Sequence, residues 1–225
     1  RLSLVGSEMC IRDRLATVLA YDDARGTPVS NAPHSGYQRI DADQTALLMD
    51  TGRPPPVILS QEAHAGCLSF ELSWRQHRLV TNCGLPAVNR ENWRQVARAT
   101  PAHSTVVLND RSSCHFLESG VIRRLLGGSP IIAGPHDVRI ERDPGGTILR
   151  ASHDGYARDC GVIHTRFIRL SADGRALDGE DSFSSASGGT LGGSDEFAIR
   201  FHPVSYTSQR PRDKAEYLIQ SSGSK

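Results

Sequence analysis

Cys67-Leu68-Ser69-Phe70-Glu71-Leu72-Ser73-Trp74 (67–74) alternates in character from Leu68 to its end. Leu68, Phe70, Leu72 and Trp74 fall on one face and Ser69, Glu71 and Ser73 on the other, because successive side chains of a strand point to opposite sides. After a short Arg75-Gln76-His77 turn, the stretch RLVTNCG (78–84) reads as an antiparallel partner. Further strands are expected within 45–52, 104–110, 136–143, 147–155, 162–171 and 196–202. Asp143-Pro144-Gly145-Gly146 and Ala172-Asp173-Gly174 supply turn chemistry between them, and the Gly/Ser-rich stretch 184–195 reads as a flexible loop. Helical periodicity is confined to 14–21 and 118–126. Many strands at short spacing predict an all-β fold, a large antiparallel β-sandwich with little helix.

Composition narrows the function classes. With 38% hydrophobic and 23% charged residues the chain has the make-up of a folded globular protein. A formal charge of +1, with arginines and acids interspersed, gives no electrostatic reason to expect nucleic acid as a partner. No apolar run is long enough for a membrane-spanning helix. Of the 26 basic residues only Lys214 and Lys225 are lysine, a shift in composition that sets residues 204–225 apart as a doubtful tail. The opening RLSLVGSEMCIRDR (1–14) looks similar to translated sequencing-adapter text and is expected to lie outside the fold, so the chain is expected to be a fragment. No CxxC pair occurs among the five cysteines; Cys67 and Cys83 flank the hairpin, where a disulfide and free buried thiols are both open. The absence of GxSxG and of a Gly-rich phosphate loop before a helix disfavours serine hydrolases and nucleotide binding.

The loop Ser60-Gln61-Glu62-Ala63-His64-Ala65-Gly66 places a histidine just before an amphipathic strand, at the rim of a sheet where ligands have access. Asn82 ends the partner strand, and Arg98-Ala99-Thr100-Pro101-Ala102-His103 sets a second histidine ahead of another strand. In a simple hairpin Asn82 pairs near Leu68 or Ser69 and His64 lies about 13 Å further on if extended, so the 62–66 loop must curl back to close a site. His153-Asp154-Gly155-Tyr156 gathers an imidazole, a carboxylate and a phenol at one strand end, as a sugar groove or as a hydrogen-bonded turn. Arg166 and Arg169 suit carboxylates of acidic sugars, and equally a solvated strand face.

The order AHAGCLSFEL (63–72), TNCG (81–84) and ARATPAHST (97–105), with SGYQRI (35–40), LLMDTG (47–52), ASHDGY (151–156) and HTRFIRL (164–170), resembles the C-terminal β-sandwich of heparinase II/III-like polysaccharide lyases. The resemblance implies a sandwich over 33–203, with 15–32 as linker or remnant of a preceding α/α toroid domain, and a periplasmic or cell-envelope setting. It implies β-elimination on an acidic, uronate-containing polysaccharide such as a glycosaminoglycan or alginate, with the toroid as the partner that carries most of the catalytic groups. This sandwich without its toroid is then expected to be inactive. A non-catalytic carbohydrate-binding or structural sandwich is the alternative. By the same resemblance a metal site, zinc, falls on His64, Asn82 and His103, and a catalytic loop position falls on Glu62. His153, Tyr156 and Arg166 are carried as candidate substrate contacts. Three positions depart from the family pattern: Glu62 stands for a histidine, Gly66 for an aspartate and Asn82 for an aspartate ligand. A neutral amide is a poor ligand for a divalent ion.

Overall fold

The computed structural model describes residues 28–84, 91–126, 128–189 and 195–204. The expected helix at 14–21, the adapter-like opening and nearly all of the 204–225 tail lie outside them. Among the described residues the strands are β1 (Asn31–Ala32), β2 (Tyr37–Ala42), β3 (Thr45–Asp50), β4 (Phe70–Trp74), β5 (His77–Val80), β6 (Val106–Leu108), β7 (His115–Phe116), β8 (Ile131–Ala133), β9 (Val138–Arg142), β10 (Ile148–His153), β11 (Val162–Leu170), β12 (Leu177–Ser185) and β13 (Phe197–Ile199). Short helices α1 (Glu91–Arg98), α2 (Gly120–Leu126) and α3 (Ala157–Cys160) accompany them.

Strands β1 to β5 form one sheet in chain order, and β12-β11-β10-β9 form a second; β13-β6 and β7-β8 are two-stranded. Every pairing is antiparallel. The two large sheets share one core: Ile40, Ala42, Leu47, Met49, Phe70 and Leu72 from the first meet Leu149, Ala151, Ile168 and Leu170 from the second. This is the expected all-β sandwich. The alternation of 67–74 places Leu68, Phe70 and Leu72 in the interior, while Trp74 at the sheet's end is 38% exposed.

The strand–turn–strand reading of 67–84 holds, with two refinements. Pairing begins at Phe70, because Leu68 adopts φ +62 and a turn closes from Ser69 N–H to the Gly66 carbonyl. A bulge between Leu72 and Ser73 then shifts the register of β5. Thr45 Oγ1 donates to the Gly174 carbonyl at 2.7 Å, and Arg142 reaches the carbonyls of Ser30 and Arg39, so the two sheets are joined at their ends by polar contacts as well. The cysteines described, Cys67, Cys83, Cys114 and Cys160, are all free, so no disulfide spans the hairpin.

Candidate functional site

The loop between β3 and β4 does curl back. Arg98, at the end of α1 and 2% exposed, turns its guanidinium into this loop and donates to three carbonyls at 2.8 Å: Ala63 through Nε, Ser129 through Nη1 and Ser60 through Nη2. Ala65 N–H donates in turn to the Arg98 carbonyl, and Thr100 Oγ1 to the Ala65 carbonyl. These bonds seat the loop beside the segment that follows α1. As a result His64 Nδ1 lies 3.2 Å from His103 Nε2, with the rings edge-on at 62°.

Asn82 closes the same corner from β5's end. Its Oδ1 accepts from Ser104 N–H at 2.8 Å, and its Nδ2 donates to Ser69 Oγ at 3.3 Å. The three residues that the resemblance groups are thus brought to one rim. His64, Asn82 and His103 border a hollow of about 270 Å³ with Tyr37, Asp50 and Glu71, and a neighbouring hollow of about 240 Å³ shares Tyr37, Asp50 and His64. Glu62 borders the second hollow, where its exposed carboxylate forms an ion pair with Arg94 of α1.

Burial sets the protonation of this rim. Desolvation lowers the His103 pKa to about 4, with further lowering by His64 and His202 against a favourable backbone bond at Arg98. His64 is lowered too, by desolvation and then by the Arg98 charge. Both rings are therefore neutral at pH 7. Because the Arg98 backbone bond favours the protonated ring, it is a ring N–H donating to a carbonyl; Nε2 of His103 is left to accept, and His64 Nδ1–H to donate. That leaves the Nε2 lone pair of His64 as the basic atom of the pair. Desolvation raises Asp50 to about 6 against a bond from Gly52 N–H, and the Tyr37 phenol is raised by Asp50, burial and Glu71.

The other candidates lie inside the protein. His153, Tyr156 and Arg166 are 1%, 1% and 2% exposed. Tyr156 OH donates to the Val106 carbonyl at 2.8 Å, and His153 sits between Gly155 N–H and His164. Arg166 spans the core to donate through Nη1 to the carbonyls of Leu68 and Ser104, at 2.8 and 2.6 Å. Of the two arginines, Arg169 is the solvated one, paired with Asp178. Sequence reasoning passed over Tyr37, Asp50, Glu71 and Arg98. Tyr37 and Asp50 stand within the SGYQRI and LLMDTG pieces, which were the available signal.

A zinc ion was the expectation for His64, Asn82 and His103. Two imidazole nitrogens 3.2 Å apart match the edge of a tetrahedron around zinc, about 3.3 Å for ordinary Zn–N distances. The third donor does not fit: it is an amide, and its oxygen already accepts from Ser104 N–H. Among the described residues no group of three or more His, Cys, Asp or Glu side chains is placed to hold a metal ion.

The sequence profile described as heparinase II/III-like, C-terminal, matches residues 24–225. The chain belongs to the heparinase II/III-like family. A curated relative of this heparinase II/III-like chain is the FtsZ-localized protein C of Caulobacter vibrioides, 35% identical over 187 residues, covering 80% of this chain and 31% of the relative. The chain thus spans about a third of that relative's length. Among solved structures it is similar to a heparinase III gene product (TM-score 0.48, 18% identity, 80% of this chain and 26% of that one). It is also similar to a heparan sulfate lyase mutant from Pedobacter heparinus (TM-score 0.44, 15% identity, 72% and 24%). As a polysaccharide-lyase-related β-sandwich, the chain contains no helix, among its described residues, long and apolar enough to cross a membrane.

Proposed function

We propose that this sandwich forms one wall of a cleft in which a uronate-containing polysaccharide is cleaved by β-elimination. The observation that carries the reading is the neutral His64–His103 pair opening onto a cleft. Elimination needs a base for the proton beside the uronate carboxylate, an acid for the departing sugar oxygen, and a group that neutralises the carboxylate. His64 Nε2 serves as base, and the protonated Tyr37 phenol on the same rim serves as acid. Arg53, on the rim of the hollow that Tyr37 and His64 also line, is the cation this wall offers to the carboxylate. Asp50, Glu62 and Glu71 make the rest of the rim acidic, and Arg94 beside it is held by Glu62. The groups that grip the rest of the polysaccharide belong to another domain, an α/α toroid by family analogy, so the chain by itself is inactive.

The test is incubation of the full-length protein with heparinoid, alginate and other acidic polysaccharides while absorbance of the unsaturated uronate product is followed. Product from the wild type, lost in His64→Ala and absent with this chain alone, supports the reading. Turnover that survives His64→Ala removes it.

A second reading is a non-catalytic carbohydrate-binding or structural sandwich. It is favoured by Glu62, a doubtful catalytic group whose carboxylate is spent on Arg94, and by the 35% identical relative, whose name records localisation with FtsZ and not a reaction. Binding of glycan by the full-length protein with no unsaturated product decides for it.

A further inference from the structure

We propose that His64 and His103 form a metal-free dyad joined by a shared proton, and that Asn82 is the residue that keeps it closed to zinc. The inference stands apart from the lyase reading, since it concerns what occupies the corner and not what the cleft cleaves.

Three segments meet there: the curled 62–66 loop, the end of β5 and the stretch leading into β6. In a zinc site the ion would join them. Here protein hydrogen bonds do so. His64 Nδ1 to His103 Nε2, at 3.2 Å, links the loop to the third segment. Asn82 Oδ1 accepts from Ser104 N–H, and Asn82 Nδ2 donates to Ser69 Oγ, linking the strand end to both neighbours. Arg166 adds the carbonyls of Leu68 and Ser104 from beneath. Every segment is tied without an ion.

The donor chemistry explains the exclusion. For zinc to enter, both facing nitrogens must present lone pairs, so the proton on His64 Nδ1 must move to that ring's Nε2. Two neutral imidazoles then supply no charge to offset the dication, the amide adds none, and the carboxylates of the same hollow, Asp50 and Glu71, are engaged by Gly52 N–H and Asn82 N–H. An aspartate at position 82 changes this while keeping the corner's hydrogen-bond acceptors. One carboxylate oxygen can still accept from Ser104 N–H, while Ser69 Oγ–H reverses its role and donates to the other. The corner gains a negative charge beside the two rings, which already stand at a zinc-compatible spacing. Gly66 leaves room there, since a Cβ at that position would meet Ser69 Oγ at 3.2 Å and His103 Cγ at 3.4 Å.

The experiment measures zinc in the full-length protein after loading with one equivalent and desalting, with calorimetric titration alongside. Wild type is expected to keep far less than one zinc per chain and to show no binding heat that His103→Ala removes. Asn82→Asp is expected to bind zinc about tenfold or more tightly than wild type. One retained zinc per chain in the wild type, lost in His64→Ala or His103→Ala, overturns the proposal. So does a folded Asn82→Asp protein whose zinc affinity matches the wild type. If Asn82→Asp does not fold, the wild-type titration alone decides.

Discussion

Arg166 on β11 and Asp181 on β12 face each other as a bidentate pair inside the sandwich, with Nε–Oδ1 and Nη2–Oδ2 both at 2.8 Å. The side chains are 3% and 9% exposed. The remaining nitrogen of Arg166 holds Leu68 and Ser104, the residues at the turn before β4 and beside His103. Breaking a buried pair from one side strands a charge, which typically costs about 3–5 kcal/mol. Asp181→Asn is therefore expected to lower the urea midpoint strongly, and Arg166→Leu with Asp181→Leu together less than Asp181→Asn alone. A single Asp181→Asn variant as stable as wild type would remove the clasp from this account.

His153 and His164 stack their protonation on the same carboxylate. Gly155 N–H donates to His153 Nδ1, so His153 Nε2–H donates to His164 Nδ1, and His164 Nε2–H to Asp181 Oδ1 at 2.7 Å. Desolvation lowers both rings, more for His153, where His164 and Arg166 add to it. The unfolded chain takes up protons at these histidines near pH 6.5 while the folded chain does not. Stability held by the neutral rings is thus full above about pH 6.5 and falls as pH drops below it. Burial pushes the Asp181 carboxyl up, but Arg166 and His164 outweigh it and hold it below the usual carboxylate range, so its share persists until pH falls below about 4. Urea midpoints measured from pH 8 down to 5 should decline below 6.5, and His164→Phe should flatten that decline. A flat wild-type profile would contradict the neutral assignment.

Gly36 is where backbone conformation and close approach coincide. It has φ +79, and a Cβ there would lie 2.3 Å from Gly52 Cα, while Thr51 N–H donates to its carbonyl. The neighbours Ser35, Tyr37 and Gly52 line the hollow beside His64. Gly36→Ala must strain the left-handed residue and push backbone against backbone, at a cost of about 2 kcal/mol or more. Thermal unfolding checks it, and an unchanged midpoint would refute the packing at this corner.

The strands with strict alternation were legible because each buries one face against the other sheet, as in Leu149 and Ala151 of β10 and Ile168 and Leu170 of β11. Residues 177–185 were not: LDGEDSFSS is an edge strand whose side chains are half-buried or exposed, and only its nine-residue register with β11 defines it. Its last two residues fall where a flexible loop was expected. Helix α1 was missed for a different reason. Its buried turn carries Arg98 beside Ala97, while Trp93 and Val96 are 58% and 59% exposed, so hydropathy points the wrong way. The histidines of the site came from motif order, but their 3.2 Å approach rests on Arg98 and on Leu68's left-handed backbone. Neither has a local signature. The same holds for Arg166, whose position on an alternating strand gives no hint that it crosses the core.

Asp50 runs against the histidines in its pH response. It closes β3, accepts from Gly52 N–H at 2.8 Å and borders both hollows. Desolvation raises it to about 6, so between about pH 4 and 6 the folded chain binds a proton that the unfolded chain has lost. Its contribution is then favourable at low pH and is lost as pH rises through 6, leaving a desolvated carboxylate at neutral pH. Asn keeps the acceptor for Gly52 N–H and removes the charge. Asp50→Asn is expected to raise the urea midpoint at pH 7.5 and to change it little at pH 4. Because Asp50 also raises Tyr37, the phenol of the variant should titrate at lower pH, followed by its ultraviolet difference spectrum. A variant less stable at pH 7.5, with Tyr37 unmoved, would mean that the carboxylate is well solvated and that the cleft is less dry than this reading requires.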